Sequence, residues 1–304
     1  MNIIETSGLA RRFGRTEALH GLDLCVETGS VCALLGPNGA GKSTTIKLLM
    51  NLLRATAGRA TVLGVDTRRL GPSQLAQIGY VSENQKLPLW MTVRQFLDFC
   101  RPFYPTWDRA LERQLLGQFA LPLDRRLSHL SRGMVMKASL LSSLAYRPRL
   151  LVMDEPFSGL DPLVRDELVK GLIEVSAASE WTVLVSSHDI EEVERMTDRV
   201  ALLDAGRLQL SEPTETLQGR FRRVEIELGD VSPPKDAALP AGWLELERSG
   251  RRVSLVDSTF TRESEQVYRR HFPDAAVLAR PMSLREIFLT LARTERLRNQ
   301  GAAA

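Results

Sequence analysis

The sequence of 304 residues predicts an α/β fold with a mostly parallel core sheet, followed by a small α+β domain. Short apolar runs that indicate buried strands alternate with segments of helical periodicity, which is typical of parallel sheets flanked by helices. Two of these runs, at residues 150–155 and 181–188, end in polar side chains. Because α/β proteins place their sites at the carboxyl ends of such strands, we expect functional residues there.

A glycine-rich loop follows the apolar run at residues 31–35. It fits the phosphate-binding pattern G-x-x-x-x-G-K-[ST] at every fixed position. Glycines let backbone N–H groups approach a polyphosphate, the lysine supplies positive charge for the β- and γ-phosphates, and the serine can ligate Mg²⁺. Helical spacing resumes directly after the loop, so the sequence predicts a P-loop NTPase. The residues expected to bind the nucleotide are Gly36, Pro37, Asn38, Gly39, Ala40, Gly41, Lys42, Ser43 and Thr44.

The segment before the loop alternates strand-like runs with turns, and we interpret it as an antiparallel β subdomain. It contains Phe13, an aromatic residue that could stack on a nucleotide base. From residue type alone, an ordinary packing role for this ring is an equally good interpretation.

Two further segments depart from the strand-and-helix alternation. Between about residues 92 and 140, amphipathic spacing and scattered prolines predict a helical subdomain, whose aromatic residues we expect to pack between helices. We place the main domain at residues 1–218 and the α+β domain at 219–304. The second domain contains a loop at 230–242 and a final helix with a capping box formed by Ser283 and Glu286.

Composition narrows the class of protein. A net charge of +3 with dispersed arginines is better explained by a solvated surface than by nucleic-acid binding. No run of 18 apolar residues and no secretory signal is present, so a membrane function would need a second chain. Cys25, Cys32 and Cys100 lack metal-ligand spacing, and we expect core thiols in a reducing compartment.

Acidic and imidazole groups end two of the predicted strands. Asp154 and Glu155 follow a buried run, which is how P-loop enzymes hold Mg²⁺ opposite the loop. His188 ends the next run, where its ring could reach a γ-phosphate, although a lone histidine is more often structural.

Four later segments accompany the phosphate loop: 130–134 (Leu-Ser-Arg-Gly-Met), 153–156 (Met-Asp-Glu-Pro), 158–161 (Ser-Gly-Leu-Asp) and 187–189 (Ser-His-Asp). In order and spacing, the five segments resemble the ATP-binding subunit of ABC transporters over roughly residues 3–210. The resemblance implies an ATPase that binds ATP and Mg²⁺ and powers export through a separate membrane-spanning permease. It also implies a peripheral position on the cytoplasmic face of the inner membrane.

The resemblance implies roles for single residues. Ser43 and Asp154 would hold Mg²⁺, Glu155 would be the general base, and Lys42 and His188 would contact the γ-phosphate. Residues of the signature segment, which we define as 130–134, would cap the ATP of a second subunit in a head-to-tail homodimer or heterodimer. The residues expected at that interface are Ser131, Gly133 and Asp161.

Three positions differ from the family pattern. Arg132 stands where the signature usually has glycine, and Glu83 stands where a glutamine is usual. A carboxylate can still ligate Mg²⁺ or its water, so Glu83 stays a candidate metal ligand, with Gln85 as a substitute in a shifted register. Phe13 replaces a common tyrosine and keeps the ring face for base stacking.

Two alternatives stay open at the level of sequence. The first is a soluble ATPase of the same superfamily that acts mechanically on ribosomes or DNA. Such proteins usually carry two modules or a long coiled coil, and this chain has neither feature. The second is a nucleotide sensor without turnover, which the intact pair Asp154 and Glu155 disfavours.

Overall fold

The computed structural model describes residues 1–83, 85–177, 181–228 and 239–301, and the chain divides into two compact units. The first unit is Met1–Ser211 and the second is Glu212–Ala304. Most of the predicted loop at 230–242 lies outside the described residues. Within those ranges, none of the helices has the length and apolar character that crossing a bilayer requires.

An antiparallel sheet forms the amino-terminal part of the first unit. Its strand order is β2-β1-β5-β6, with β3 also paired to β1, and the strands alternate buried and exposed positions, as expected for a sheet with one covered face. This sheet confirms the predicted antiparallel β subdomain. Its strands are β1 (Asn2–Phe13), β2 (Thr16–Leu22), β3 (Cys25–Glu27), β5 (Ala57–Val62) and β6 (Val65–Asp66).

The central sheet has six strands in the order β11-β10-β4-β9-β8-β7, and the pairs from β10 to β7 are parallel. The strands are β4 (Val31–Leu35), β7 (Ile78–Ser82), β8 (Leu150–Asp154), β9 (Thr182–Ser187), β10 (Arg199–Asp204) and β11 (Arg207–Pro213). Strands β4, β8 and β9 are almost wholly buried, which explains their continuous apolar sequence. The mostly parallel core sheet is therefore confirmed.

The register of this sheet places the ends of four strands, β4, β9, β8 and β7, side by side. Leu35 lies opposite Ser187, Asp154 lies opposite Ser186, and Ser82 lies opposite Asp154. The residues that follow these strands therefore emerge at one edge, next to the phosphate loop after β4.

Helices cover the sheet and form the predicted helical segment. They are α1 (Lys42–Leu49), α2 (Pro72–Leu75), α3 (Val93–Cys100), α4 (Arg109–Gln118), α5 (Arg132–Leu144) and α6 (Pro162–Ala177). Short 3-10 turns lie at Thr67–Arg69, Arg101–Phe103, Leu127–His129, Ile190–Glu192 and Glu194–Met196. Helix α5 extends to Leu144, four residues beyond the approximate end predicted for the helical subdomain, and its last turn is buried.

Two expectations for the first unit need correction. Phe96 is buried, as expected of a packing residue, but Phe99 and Phe103 are 53% and 64% exposed and contact each other edge to face. Cys32 is buried, whereas Cys25 is exposed because it lies on the outward side of β3, next to the buried Val26. The three thiols are free.

The second unit is a four-stranded antiparallel sheet of order β13-β14-β12-β15 with helices, which confirms an α+β unit. Its apolar face packs with Tyr268 of α8 and with Phe272, which directly follows that helix. Ser283 and Glu286 form the predicted capping box. The elements are α7 (Thr214–Arg220), β12 (Arg222–Glu227), β13 (Trp243–Ser249), β14 (Arg252–Asp257), α8 (Ser264–His271), β15 (Ala276–Pro281) and α9 (Leu284–Gly301).

The boundary between the units lies seven residues before the expected position after residue 218. Helix α7 belongs to the second unit, where Leu217 is buried and Arg220 pairs with Glu212 at 2.6 Å. The predicted boundary after residue 218 falls within α7, because the alternation of apolar and charged residues becomes visible only with β12.

Candidate nucleotide-binding site

The phosphate loop adopts a conformation that requires glycine at its ends. Gly36 has a φ of 156°, and a Cβ there would overlap the carbonyl oxygen of Leu203. Gly41 has a φ of 106°, and a Cβ there would lie 2.8 Å from the carbonyl oxygen of Ala18. Larger residues would push the loop out of place, so the glycines keep the start of α1 open to an anion.

The loop borders a cavity of about 290 Å³, at the edge where β7 and β8 end. The lining combines the loop with one residue from β2 and three acidic residues from the strand ends. The lining residues are Ala18, Asn38, Gly39, Ala40, Gly41, Lys42, Ser43, Thr44, Glu83, Asp154 and Glu155. Ala18 was not predicted, because an alanine carries no chemical signal in a sequence. Gly36 and Pro37 are not among the lining residues; their carbonyl oxygens contact Lys42.

Asp154 is the centre of a hydrogen-bonded group beneath the loop. Its Oδ1 accepts hydrogen bonds from Ser43 Oγ at 3.0 Å and from Ser186 Oγ at 2.8 Å, and the aspartate is 5% exposed. Ser186 Oγ also accepts a hydrogen bond from the N–H of Glu155 at 3.0 Å. Sequence reasoning missed Ser186, because only the register of β8 and β9 shows that it faces Asp154.

The oxygen atoms of Ser43 and Asp154 are suitable ligands for Mg²⁺. Ser43 and Asp154 bring a hydroxyl and a carboxylate oxygen together, and Mg²⁺ is commonly bound through one or two carboxylates, waters and substrate phosphates. In the described part of the chain, no group of three or more His, Cys, Asp or Glu residues could hold a metal without such help.

Glu155 lies between Lys42 and His188, the two residues predicted to contact the γ-phosphate. Its Oε1 is 3.0 Å from Lys42 Nζ, and its Oε2 is 2.7 Å from Nδ1 of His188. The backbone N–H of His188 donates to the same Oε2 at 3.3 Å. Lys42 Nζ also donates to the carbonyl oxygens of Gly36 at 2.6 Å and Pro37 at 3.1 Å. The structure therefore brings together all three residues predicted to be catalytic.

The protonation of Glu155 follows from these contacts. Burial acts to raise the pKa of its carboxyl group, but the hydrogen bond with His188 and the interaction with Lys42 outweigh burial and lower the pKa below the ordinary value. Glu155 is thus ionised at neutral pH. Its backbone φ of 52° is in a region that residues other than glycine rarely adopt. Such rarely populated conformations cluster at functional sites.

The candidate interface residues do not line this cavity in the part of the chain described. Ser131 is exposed and is the N-cap of α5, where its Oγ accepts from the N–H of Met134 at 3.3 Å. Gly133 is buried and packs closely against Val164 of α6, so that a Cβ at this position would overlap the valine side chain. Asp161 is exposed and accepts a hydrogen bond from the N–H of Leu163 at 2.9 Å, at the start of α6.

Phe13 also lies outside the lining of the cavity. The ring is 43% exposed, and the guanidinium of Arg11 lies 4.4 Å from its centroid. The phenyl group is thus accessible at the end of β1 and makes a cation–π contact within its own strand.

The two unusual residues of the sequence lie next to each other. Glu83 lines the cavity and forms an ion pair with Arg132, the first residue of α5. Gln85, the alternative metal ligand, instead accepts a hydrogen bond from Ser139 of α5 at 2.9 Å. The side chain at the cavity is therefore Glu83.

Comparison with family models agrees with this geometry. The model described as "ABC transporter" matches residues 19–158. A second model, described as "AAA domain, putative AbiEii toxin, Type IV TA system", matches the shorter segment 123–194. A solved structure described as the ATP-binding subunit of an ABC transporter superposes with a TM-score of 0.64 and 28% identity, over 71% of this chain and 92% of that one.

Relatives with known names align over most of the chain. The Nod factor export ATP-binding protein I of Rhizobium leguminosarum bv. viciae is 30% identical over 95% of this chain and 94% of its own length. The daunorubicin resistance ATP-binding protein of Streptomyces coeruleorubidus is 37% identical over 74% of this chain and 71% of its own. This chain therefore belongs to the ATP-binding proteins of ABC transporters, which are ATPases that power transport.

Proposed function

We propose that this ATPase drives export through a separate membrane-spanning permease, using ATP bound at the phosphate loop. The observation that carries the proposal is that Lys42, Asp154 and Glu155 line one cavity beside that loop. His188 joins this group through its contact of 2.7 Å with Glu155. Export is favoured because a relative named for export aligns over 95% of the chain. An alignment of that extent includes most of the second unit. The solved structure of an ATP-binding subunit aligns with 71% of this chain, so the relative named for export matches more of it.

Binding of ATP follows from the loop and its lysine. The triphosphate would lie against the loop N–H groups and the start of α1, with Lys42 Nζ turning from the carbonyl oxygens of Gly36 and Pro37 to phosphate oxygens. Mg²⁺ would be held by Ser43 and Asp154, with Glu83 as a further oxygen donor. When bound, the ion offsets charge on the phosphates. Phe13 is accessible for stacking on the base.

Catalysis would require Lys42 and His188 to exchange their contacts with Glu155 for contacts with the γ-phosphate. The contacts with Lys42 and His188 lower the pKa of this carboxylate and make it a weak base. A γ-phosphate is an anion that attracts both of these groups, so its binding would leave Glu155 with fewer partners and a higher pKa. Glu155 could then accept a proton from the attacking water, while Lys42 and His188 stabilise charge on the phosphoryl oxygens.

We further propose a head-to-tail dimer, formed by two copies or by a copy and a relative. Ser131 and Asp161 are exposed and, with Gly133, lie outside the lining of their own chain's cavity. Ser131 begins a helix of thirteen residues, so its hydroxyl and the first N–H groups could meet the phosphates bound by a partner. This arrangement would complete each site with residues from the other chain.

The permease is the second expected partner, and it would hold the protein on the cytoplasmic face of the inner membrane. The helical part of the first unit and the loop before it expose large apolar side chains, which is typical of protein contact surfaces. These side chains are Leu89, Trp90, Phe99 and Phe103. We expect no nucleic-acid partner, because a net charge of +3 is small for a chain of this length.

Membrane fractionation tests the proposal. The protein should be found with membranes and should co-purify with a multi-helix protein after detergent extraction. Deleting that partner should release the ATPase into the soluble fraction. If the ATPase were distributed equally between membrane and soluble fractions with and without the partner, the permease hypothesis would be rejected. A soluble ATPase would then be the better hypothesis.

A further inference from the structure

The ion pair between Glu83 and Arg132 joins two parts of the chain that are 49 residues apart. Glu83 follows β7 and lines the cavity beside the phosphate loop. Its Oε1 accepts a hydrogen bond from Nη2 of Arg132, the first residue of α5. The two side chains are 28% and 54% exposed, so the pair lies at the rim of the cavity.

A third segment supports the position of the arginine. Gly159 has a φ of 64°, and a Cβ at this residue would lie 2.5 Å from Nη1 of Arg132. The guanidinium therefore lies against the turn at residues 158–161 as well as against Glu83. This contact holds the cation in place at low entropic cost, since a glycine leaves room for the planar group.

The charges around the cavity explain why such a cation is useful. The lining residues in the described chain include the acids Glu83, Asp154 and Glu155 but a single basic residue, Lys42. Lys42 is 3.0 Å from Glu155, and Asp154 accepts hydrogen bonds from two serine hydroxyls. Glu83 would therefore present an uncompensated negative charge to a polyphosphate if Arg132 did not pair with it.

We propose that Arg132 is a positioning residue of the nucleotide site in its own chain, where it neutralises Glu83 and so permits a carboxylate at the phosphate end of the cavity. This inference rests on the proposed binding of ATP at the loop. It extends that function, since it assigns the start of α5 a task toward its own chain's nucleotide. A divalent cation in the site could neutralise the same carboxylate, so Arg132 should matter most in the absence of Mg²⁺.

A double-mutant cycle with full-length protein tests the inference. The variants are Arg132→Gln, Glu83→Gln and the double variant, each of which removes charge and keeps a polar side chain. The measurement is the Kd for ATP by titration calorimetry, once in EDTA and once with excess Mg²⁺. Arg94→Gln is the matched control, because Arg94 is 53% exposed and pairs with Asp124 at 3.1 Å but does not line the cavity.

In EDTA, Arg132→Gln should weaken ATP binding about tenfold, which corresponds to about 1.4 kcal/mol. The double variant should bind within about twofold of Glu83→Gln, because a neutral Glu83 position no longer needs the arginine. With Mg²⁺, the loss in Arg132→Gln should shrink to less than about threefold. Arg94→Gln should bind as the wild type does in both conditions.

Two results would overturn the inference. If the two single effects simply add in the double variant, Arg132 does not act through the charge of Glu83. If Arg132→Gln loses the same affinity with and without Mg²⁺, the arginine has only a structural role. A wild-type protein that binds no ATP would reject the proposed function together with this inference, whereas ATP binding without coupling rejects the inference alone.

Discussion

Replacing Ser186 with alanine should lower the affinity for Mg²⁺, although this serine is not expected to touch the metal or the nucleotide. Ser186 is fully buried, and its hydroxyl joins Asp154 Oδ1 at 2.8 Å to the N–H of Glu155 at 3.0 Å. In Ser186→Ala, the aspartate loses one of its two serine donors, and the half-buried N–H of Glu155 loses its acceptor.

The size of the effect follows from these two bonds. A hydrogen bond to a charged group contributes about 1.5–3 kcal/mol, and an unsatisfied buried donor costs about 1–3 kcal/mol. Since part of this cost is relieved by relaxation, we expect a loss of about 2–4 kcal/mol in the free energy of unfolding. Groups that orient metal ligands typically change metal affinity by about 10- to 100-fold, so the Mg²⁺ concentration for half-maximal ATPase activity should rise by that factor.

The assay combines urea unfolding with Mg²⁺ titration of ATP hydrolysis. Ser142→Ala is the control, because Ser142 is also buried and its Oγ donates to a carbonyl oxygen, that of Ser139, at 2.8 Å within α5. It should lose about 1 kcal/mol of stability and keep the wild-type Mg²⁺ dependence. Ser186→Thr, which retains the hydroxyl, should recover most of the Mg²⁺ affinity. An unchanged Mg²⁺ dependence in Ser186→Ala would refute the assigned role of this hydroxyl.

Three further predictions concern the contacts of Lys42 and Glu155. Glu155→Gln should still bind ATP while turnover falls about 10²- to 10⁴-fold, as expected for loss of a general base; wild-type turnover would remove Glu155 from that role. Lys42→Ala should lose ATP binding, measured by calorimetry, because the cation for the phosphates is gone. The stability that Glu155 contributes should be complete above its unfolded pKa, near 4.5, and should decrease as pH falls through the lower folded pKa. Urea unfolding of wild type and Glu155→Gln between pH 3 and 7 measures this contribution, and parallel curves would contradict it.

The sequence was sufficient for the features that depend on neighbouring residues. The phosphate loop, the acids at 154 and 155 and the histidine at 188 each lie at the end of a strand whose sequence contains a short apolar run, so their place could be predicted. A glycine-rich loop that lies between a strand and a helix and ends in lysine and serine is typical of phosphate binding in nucleotide-binding proteins. These local patterns were enough for the fold class and for most of the candidate site.

Other features depended on how distant segments meet. Ser186 faces Asp154 because β8 and β9 pair in one register, and a shift of one residue would turn its hydroxyl to the other side of the sheet. Helix α7 belongs to the second unit, in which it contacts α9, and the periodicity of so short a helix could not show this contact.

Glu83 and Arg132 show the difference most clearly. In the sequence they are two separate departures from a family pattern, one acidic and one basic. The fold brings them together at the rim of the nucleotide cavity and lays the guanidinium against Gly159. Local propensity and motif spacing describe the chain over a few residues, whereas charge compensation acts through space, so only the tertiary structure could reveal this pair.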